Sequence, residues 1–270
     1  MIINLETQFG TLAVDSSTGV SLAIELEFNG PQPIHFGVPP ATSMPVQMDG
    51  FIGDTTRNGP CNVRTLNLTP HCNGTHTESV GHILNECVSI NRILNGNFFL
   101  GRLVTLQPVS ALDCQETYEP QLERDDLVVT CKLLEQVSHE SMLGDALMIR
   151  TLPNTAVKRS RNYLDGEPVP FLTNQAIEWV TAMGIRHLLV DFPSIDRMFD
   201  QGLLSNHHRF WNIPLGTRSA TPVSRVENTI TEMIYVPDDL DDGLFLLDLQ
   251  IPAFASDAAP SRPIVYRILK

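Results

Sequence analysis

The 270-residue sequence lacks a long apolar run, is short of basic residues and has no regular cysteine framework. No apolar run approaches the ~20 residues that a membrane-crossing helix needs, so we expect no membrane partner. Only 18 basic residues oppose 31 acidic ones, giving a formal net charge of −13. Nucleic-acid binding is therefore not expected either, because it needs a concentrated Lys/Arg surface.

Cysteine usage and the N-terminus both favour the cytoplasm. The five cysteines are an odd number with irregular spacing, which indicates reduced thiols rather than a disulfide framework. The first residues include Glu6 where a secretory signal has basic residues. With 42% apolar residues the chain has ample material for a core. We expect one domain spanning residues 1–270, which is within the length range of single α/β domains.

Local patterns predict both strands and helices. Alternating apolar residues from Val20 to Phe28 predict strands within residues 11–36, whereas residues 39–60 are expected to form a long irregular loop. The clearest helix is 174–183, and it leads into a buried strand, which indicates an α/β arrangement. Further strands are predicted at Leu103 to Val109, Leu127 to Leu133, Ala146 to Thr151, His187 to Phe192, Leu244 to Ile251 and Pro263 to Ile268.

Five of the eight histidines lie in two short segments. The first segment reads Pro70-His71-Cys72-Asn73-Gly74-Thr75-His76-Thr77-Glu78-Ser79-Val80-Gly81-His82. Its Asn-Gly pair favours a tight turn, across which Cys72 and His76 can face each other. His76 and Glu78 are two apart, so in an extended strand they point to the same side. A thiolate, an imidazole and a carboxylate would then converge, and all three are acceptable zinc ligands.

The second segment contains His207-His208 and is followed about twenty residues later by Val226-Glu227-Asn228. An isolated pair of histidines is weak evidence, because histidines are commonly only partly buried. The dense first segment strengthens the case for a metal, since its polar ligands would be costly to bury without a partner.

These motifs resemble those of the cyclase family, which includes kynurenine formamidases and isatin hydrolases. Residues 72–82 resemble the family signature His-x-Gly-Thr-His-x-Asp-x-Pro-x-His. Residues 144–151 resemble its Gly-Asp strand, and residues 184–196 resemble its Gly-Val-x-Leu-Val-Gly-x-Asp-x-Pro-Ser-x-Asp stretch. His207-His208 and the later motifs follow in the family's order, so the resemblance covers most of residues 66–270.

The resemblance implies a fold, an assembly and a set of site residues. It implies a swivelling β/β/α domain with mixed sheets and few helices, and a homodimer or higher homo-oligomer with the site near a subunit interface. His76, Glu78, His207 and Glu227 would be metal ligands, His82 would be the catalytic acid/base, and Cys72 stands where the family has a ligand histidine. Soft sulfur favours Zn²⁺, with Mn²⁺ as the alternative.

Three departures from the family signature stand in the first segment: Cys72 for His, Glu78 for Asp, and Val80 for Pro. A thiolate and a longer carboxylate still bind zinc, so the first two departures are read as an exchange of ligands. In the alternative reading, His71 is the ligand and Cys72 packs inward. Five ligands can hold one ion or a bridged pair.

These features favour a metal-dependent hydrolase that acts on a C–N bond, other than a peptide bond, of a small amide, formamide or lactam. The metal would activate a water, and His82 would move protons, as imidazoles do near neutral pH. Two alternatives remain open: a lactone hydrolase or dehydrating cyclase on the same metal, and a binding protein with a decayed site. Ser194 lacks a nucleophile elbow, which disfavours a serine hydrolase.

Several neighbouring residues have two interpretations. Asp191 and Asp196 follow a buried strand and are expected to shape turns and cap the loop that leads to His207. Trp211, Phe210 and the Met44 to Met48 segment could line a pocket for an aromatic substrate, although packing explains them equally well.

Overall fold

One mixed eleven-stranded sheet organises the protein. The structure is a computed structural model and describes residues 1–7, 10–94, 96–137 and 144–269. Its α-helices are α1 (Ile90–Ile93), α2 (Cys131–Val137), α3 (Asn174–Ala182) and α4 (Ser205–Trp211). Its strands are β1 (Ile2–Thr7), β2 (Gly10–Asp15), β3 (Val20–Ser21), β4 (Thr42–Pro45), β5 (Gln47–Met48), β6 (Phe51–Ile52), β7 (Arg64–Asn67), β8 (His76–Glu78), β9 (Phe98–Leu106), β10 (Val109–Ser110), β11 (Leu127–Val129), β12 (Ala146–Thr151), β13 (Phe171–Leu172), β14 (His187–Val190), β15 (Thr229–Glu232), β16 (Gly243–Asp248), β17 (Ala258–Pro260) and β18 (Ile264–Leu269).

The strand order of the large sheet is β1-β2-β18-β16-β9-β12-β14-β15-β8-β17, with β3 paired to β18. Strands β9, β12, β14 and β15 form a parallel centre, and the strands on both sides of it run antiparallel. Smaller sheets join β10, β11 and β13, β4 and β7, and β5 and β6. The α/β class with mixed sheets and few helices is therefore confirmed.

The parallel centre is buried on both faces, as its apolar sequence requires. In β12, Leu147 and Ile149 face a core that includes α3 and α4, whereas Ala146 and Met148 face the core on the other side of the sheet. This alternation follows from the two-residue period of a strand. The helices thus cover one face, and β16, β18 and the 234–240 segment contribute to the core on the other.

The predicted helix 174–183 is confirmed as α3 (Asn174–Ala182). Of the two capping residues considered, Thr173 is the cap, because its hydroxyl accepts a hydrogen bond from the Ala176 amide at 3.1 Å. Gly184 follows the helix with a φ of +76°, a conformation that favours glycine. The strand predictions at Ala146, His187, Leu244 and Pro263 are also confirmed, with boundaries that differ by up to three residues.

The prediction of one strand from Leu127 to Leu133 is wrong beyond Val129, because helix α2 begins at Cys131. The reason is a carboxylate from a distant part of the chain. Glu116 accepts hydrogen bonds from the backbone amides of Cys131 at 2.8 Å and Lys132 at 3.1 Å. These are the amides that lack a partner at a helix start, so Glu116 stabilises the helix there.

Two predictions near the N-terminus are right only in part. Regular strand pairing from Val20 to Phe28 is limited to β3 and a single bridge at Ala23, although the residues remain alternately more and less buried. Residues 39–60 do not form a long irregular loop, because they contain β4, β5 and β6.

The strand predicted at Leu103 begins earlier, at Phe98, and ends at Leu106. Within the described ranges, the fold contains no helix that is long and apolar enough to cross a membrane.

A largely buried ion pair links the turn after β12 to the segment after β14. Lys158 Nζ lies 2.7 Å from Asp191 Oδ2, and the Asp191 carboxylate also accepts hydrogen bonds from Thr151. Burial raises the pKa of Asp191 even though Lys158 opposes that shift. The carboxylate therefore depends on its cation, and Asp191 has a structural place in the turn after β14.

We expect Lys158→Met to lower the free energy of unfolding by about 3–5 kcal/mol near neutral pH, because it leaves a buried carboxylate unpaired. Losing the cation raises the folded-state pKa of Asp191 further above its unfolded value, so protonation favours the folded state. The loss of stability should therefore shrink as pH falls. Denaturant unfolding at neutral and mildly acidic pH measures both effects. The exposed Lys132→Met is the control, and equal losses in the two variants would contradict the prediction.

Candidate metal centre

Strands β8 and β15 place three chemically active side chains on one face of the sheet. His76 and Glu78 are two residues apart in β8, so they share a face, as the sequence predicted. The antiparallel register pairs Glu232 with His76 and Ile230 with Glu78. Side chains of paired residues lie on the same face, and His76 Nε2 is 3.4 Å from Glu232 Oε2.

A tight loop before β8 fixes the orientation of His76. Asn73 Oδ1 accepts a hydrogen bond from the Thr69 amide at 2.7 Å, and Gly74 has a φ of +147°, which glycine adopts without strain. The Gly74 carbonyl lies 3.0 Å from His76 Nδ1. Because a carbonyl oxygen only accepts, Nδ1 must carry the hydrogen. His76 Nε2 is then the atom that faces the site.

Helix α4 brings in His207, and Asp196 sets its position. The Asp196 carboxylate accepts hydrogen bonds from the backbone amides of Asn206 at 2.9 Å and His207 at 3.1 Å, at the first turn of α4. Its Oδ2 atom also lies 2.6 Å from His207 Nδ1. Tyr118 donates its hydroxyl to the other oxygen at 2.7 Å. Asp196 therefore does more than cap a turn, because it also orients the imidazole.

His76, Glu78, His207 and Glu232 form what we call the inner group. His207 Nε2 lies 3.0 Å from Glu78 Oε1 and 3.9 Å from Glu232 Oε1. Burial alone would raise the pKa of Glu78, but the imidazoles of His82 and His207 hold it well below its usual range. Burial likewise opposes protonation of His207, but Glu78 and Asp196 raise its pKa well above the usual value. Glu78 and His207 thus stabilise each other's charge within a buried cluster.

The inner group has the donor chemistry for a divalent metal ion, and it overlaps two sets of converging ligand atoms, one of His71, His76 and Glu78 and one of Glu78, His82 and His207. His76 Nε2 is buried and has no hydrogen-bond partner, and in a neutral imidazole it would point a lone pair at the carboxylate of Glu232. A cation between these two atoms removes the repulsion. His207 has the arrangement that is common for a metal-binding histidine, with one ring nitrogen held by a carboxylate and the other facing the site. Imidazole and carboxylate are suitable ligands for zinc and manganese.

His71, His82 and Asp257 form an outer group beside the inner one. His71 Nε2 lies 2.8 Å from Asp257 Oδ2, and His71 Nδ1 lies 2.9 Å from Glu78 Oε2. His82 Nδ1 is 3.8 Å from Glu78 and 3.7 Å from Asp257. Burial opposes protonation of His71, yet Asp257 and Glu78 raise its pKa to about 10. His71 therefore connects the two groups.

The structure does not place Cys72 in either group. Its side chain is buried in the wall of the same cavity, and burial, helped by the charge of Glu232, raises the pKa of the thiol to about 11. Among the described residues, no group of converging ligand atoms contains its sulfur. In the alternative reading from the sequence, His71 is the ligand and Cys72 packs inward. Cys72 is buried, and a ring nitrogen of His71 lies within ligand range of His76 and Glu78.

The structure also does not bring Glu227 to the cluster. Its side chain is 69% exposed and pairs with Arg186 at 3.7 Å. Glu227 lies in the turn before β15 and lines a different pocket with Arg186 and His187, whereas Glu232 ends β15. Glu232 therefore takes the position that the sequence analysis gave to Glu227. A signal was present, because an acidic residue in a buried, β-branched run is costly unless it has a partner.

A cavity of about 780 Å³ opens above the two groups. His71, Cys72, His82, His207 and Glu232 line its floor and walls. Apolar residues of its remaining wall include Phe36, Met198, Phe199 and Leu204, and the rings of Phe36 and Phe199 lie 5.9 Å apart. Buried His35 also lines it, and burial together with the charge of His76 lowers the pKa of His35 to about 4.

Other predicted pocket residues lie elsewhere. Phe210 and Trp211 are fully buried in the helix-side core, so packing explains them, although the Trp211 ring lies 5.6 Å from that of His207. Met44 and Met48 are exposed and do not line the cavity. Sequence reasoning missed His35 and Asp257, since neither lies in a recognisable motif, and it read Asp196 only as a turn and capping residue.

Comparisons with known proteins agree with this fold. The model of the family described as "Putative cyclase" matches residues 20–197, which is more than half of the chain. No curated protein matches the sequence significantly. An isatin hydrolase bound to the product analogue thioisatinate superimposes with a TM-score of 0.61 at 15% identity, over 93% of both chains. A predicted metal-dependent hydrolase from Bacillus stearothermophilus superimposes with a TM-score of 0.57 at 12% identity, over 92% of this chain and 98% of its own. A structure described as a novel cyclase superimposes with a TM-score of 0.61 at 14% identity, over 94% of this chain and 88% of its own. At these identities the likeness shows the fold.

Glu232→Gln and Glu227→Gln form a matched pair that separates the two carboxylates. We expect Glu232→Gln to weaken metal binding by about tenfold or more, since it removes a charge that faces His76. Glu227→Gln should bind metal like the native protein, because its side chain is exposed and distant. Elemental analysis after dialysis against buffers of defined free metal measures both. The reverse result would assign the ligand role to Glu227.

We expect Cys72→Ala to keep its bound metal, because the thiol lies outside both groups of converging ligand atoms. The same elemental analysis measures the metal content, and a circular dichroism spectrum checks that the variant is folded. A folded Cys72→Ala protein that loses its metal would instead make Cys72 a ligand, as the family spacing implies.

Proposed function

Because the chain belongs to the cyclase family, we propose that it is a metal-dependent hydrolase that cleaves a C–N bond of a small amide, formamide or lactam. The observation that carries the proposal is the inner group, in which the unpartnered Nε2 of His76 faces Glu232, and Glu232 and His207 line a large cavity. Two buried carboxylates and two buried imidazoles in such a place suit catalysis better than packing.

His76, Glu78, His207 and Glu232 would hold the metal, for which we propose zinc, with manganese as the alternative. When bound, the ion supplies a Lewis acid that polarises a substrate carbonyl and lowers the pKa of a water toward ~7. Asp196 keeps His207 in one orientation, because it accepts the Nδ1 hydrogen and binds the backbone at the start of α4. These hydrogen bonds keep His207 Nε2 directed toward Glu78.

His82 is the residue that we propose for proton transfer. It lines the cavity, its side chain is partly exposed, and its ring lies 5.3 Å from that of His207. Hydrolysis of an amide needs one proton removed from the attacking water and one delivered to the departing nitrogen. A single imidazole beside the reacting carbonyl can do both in turn, so no net proton is gained or lost.

The cavity supports a substrate with an apolar or aromatic part. Phe36, Phe199, Met198 and Leu204 supply apolar surface, whereas the polar groups are concentrated at the inner and outer groups. A pocket of this size and polarity suits a small organic molecule whose polar end reaches the site. An isatin hydrolase among the fold neighbours supports a cyclic amide as the first compound to test.

The assembly and location implied earlier stay predictions. We propose a homo-oligomer, which light scattering of the purified protein would check, and a cytoplasmic location with a small-molecule substrate.

Hydrolysis of isatin and N-formylkynurenine by the native protein and His82→Gln tests the proposal. We expect the native protein to cleave at least one of them and to lose activity when a chelator removes the metal. His82→Gln should lower kcat by about 10²–10⁴-fold while the tightly bound metal stays, because the imidazole moves protons and is not an inner ligand.

Metal content measured on the same samples is the control. A folded, metal-loaded protein that hydrolyses no amide, formamide or lactam would overturn the proposed reaction. A His82→Gln protein with native activity would overturn the role of His82 and leave the hydrolase proposal standing.

A further inference from the structure

We infer that the outer group is a second, weaker zinc site, in which His71, His82 and Asp257 bind an ion that inhibits the enzyme by occupying His82. The inhibition rests on the proposed function, whereas the binding itself does not. Asp257 is the ligand that distinguishes this site, because His71 also lies within ligand range of His76 and Glu78, and His82 within that of Glu78 and His207.

The three donor atoms already converge. His71 Nε2 is 2.8 Å and His82 Nδ1 is 3.7 Å from Asp257 Oδ2, and the ligand atoms of the group all lie within 4.8 Å of one another. A tetrahedral zinc ion with bonds of about 2.1 Å holds its ligand atoms about 3.4 Å apart. Small side-chain movements are therefore enough to place an ion between the three atoms.

The backbone holds Asp257 beside the turn that carries His82. The Ser79 amide donates to the Asp257 carbonyl at 2.9 Å, and the next residue, Ala258, pairs with Glu78 across β8 and β17. A Cβ atom at Gly81 would lie 2.6 Å from the Val88 carbonyl oxygen and 3.2 Å from Asp257 Cβ. Glycine at position 81 thus allows the close approach that brings His82 to Asp257.

The two ring nitrogens of His71 face different partners. Nδ1 lies 2.9 Å from Glu78 Oε2, which leaves Nε2 as the atom that points to Asp257. The contact between Nδ1 and Glu78 is an ion pair without the alignment of a hydrogen bond, because Glu78 Oε2 has no hydrogen-bond partner among the described residues. His71 therefore belongs to the outer site through Nε2.

Exposure makes this the weaker and more exchangeable of the two sites. The outer side chains are 23%, 26% and 34% exposed for His71, His82 and Asp257, whereas those of the inner group are at most 5% exposed. Three protein ligands leave room for water on an ion at the cavity wall. An ion there takes the Nδ1 atom of His82 and blocks its proton transfer, so excess zinc inhibits.

Zinc binding by the native protein, Asp257→Asn and the control Asp241→Asn tests the inference. The substitution at 257 is isosteric and removes one ligand, and Asp241 is an 88% exposed carboxylate outside the cavity lining. After dialysis against a series of defined free zinc concentrations, we expect two zinc equivalents in the native and control proteins. Asp257→Asn should keep the first and bind the second about tenfold or more weakly.

Hydrolysis at rising free zinc supplies the second measurement. Native activity should fall as the second equivalent binds, whereas Asp257→Asn should keep the activity that it has with one equivalent. A native protein with a single equivalent, or an Asp257→Asn protein that binds both as tightly as native or loses both, would overturn the second site. The number of zinc equivalents bound decides whether the second site exists, even if none of the amides is hydrolysed.

Discussion

Two buried carboxylates on neighbouring strands, Glu78 and Glu232, are the constraint on which the site depends. Burying a carboxylate without a partner costs several kcal/mol, and here two share one face of the sheet. The charge has to be compensated by groups that the fold brings to that face. His76 comes from the same strand as Glu78, and His207 comes from a helix more than a hundred residues away in sequence. The fold around the site is therefore arranged for charge balance.

The compensation extends as a row of alternating carboxylates and imidazoles. Asp196, His207, Glu78, His71 and Asp257 follow one another at 2.6, 3.0, 2.9 and 2.8 Å. Alternating charge in a low-dielectric interior makes each contact stronger than it would be in water. The row also runs from fully buried Asp196 to partly exposed Asp257. A metal ion can replace protons along it without creating an unpaired charge.

The parts of this site that sequence could predict are the local ones. Spacing of two residues placed His76 and Glu78 on one face, and capping residues marked helix 174–183, because both depend on neighbouring residues alone. Glu232 was missed in favour of Glu227 because the choice depends on where β15 begins and how it pairs with β8. Asp257 reaches His71 and His82 because β17, which follows it, pairs with β8, and no short motif records that pairing.

The departures from the family signature are coupled by geometry. Cysteine at position 72 removes an imidazole, and the preceding residue supplies one, since His71 Nδ1 reaches Glu78 at 2.9 Å. Glutamate at position 78 is longer than the family's aspartate by one bond of about 1.5 Å. That length lets one carboxylate face His71 and His207 at once, through its two oxygens. Shortening residue 78 to aspartate would withdraw the carboxylate from both. The shifted histidine and the longer acid therefore act together, because Glu78 contacts His71 through one oxygen and His207 through the other.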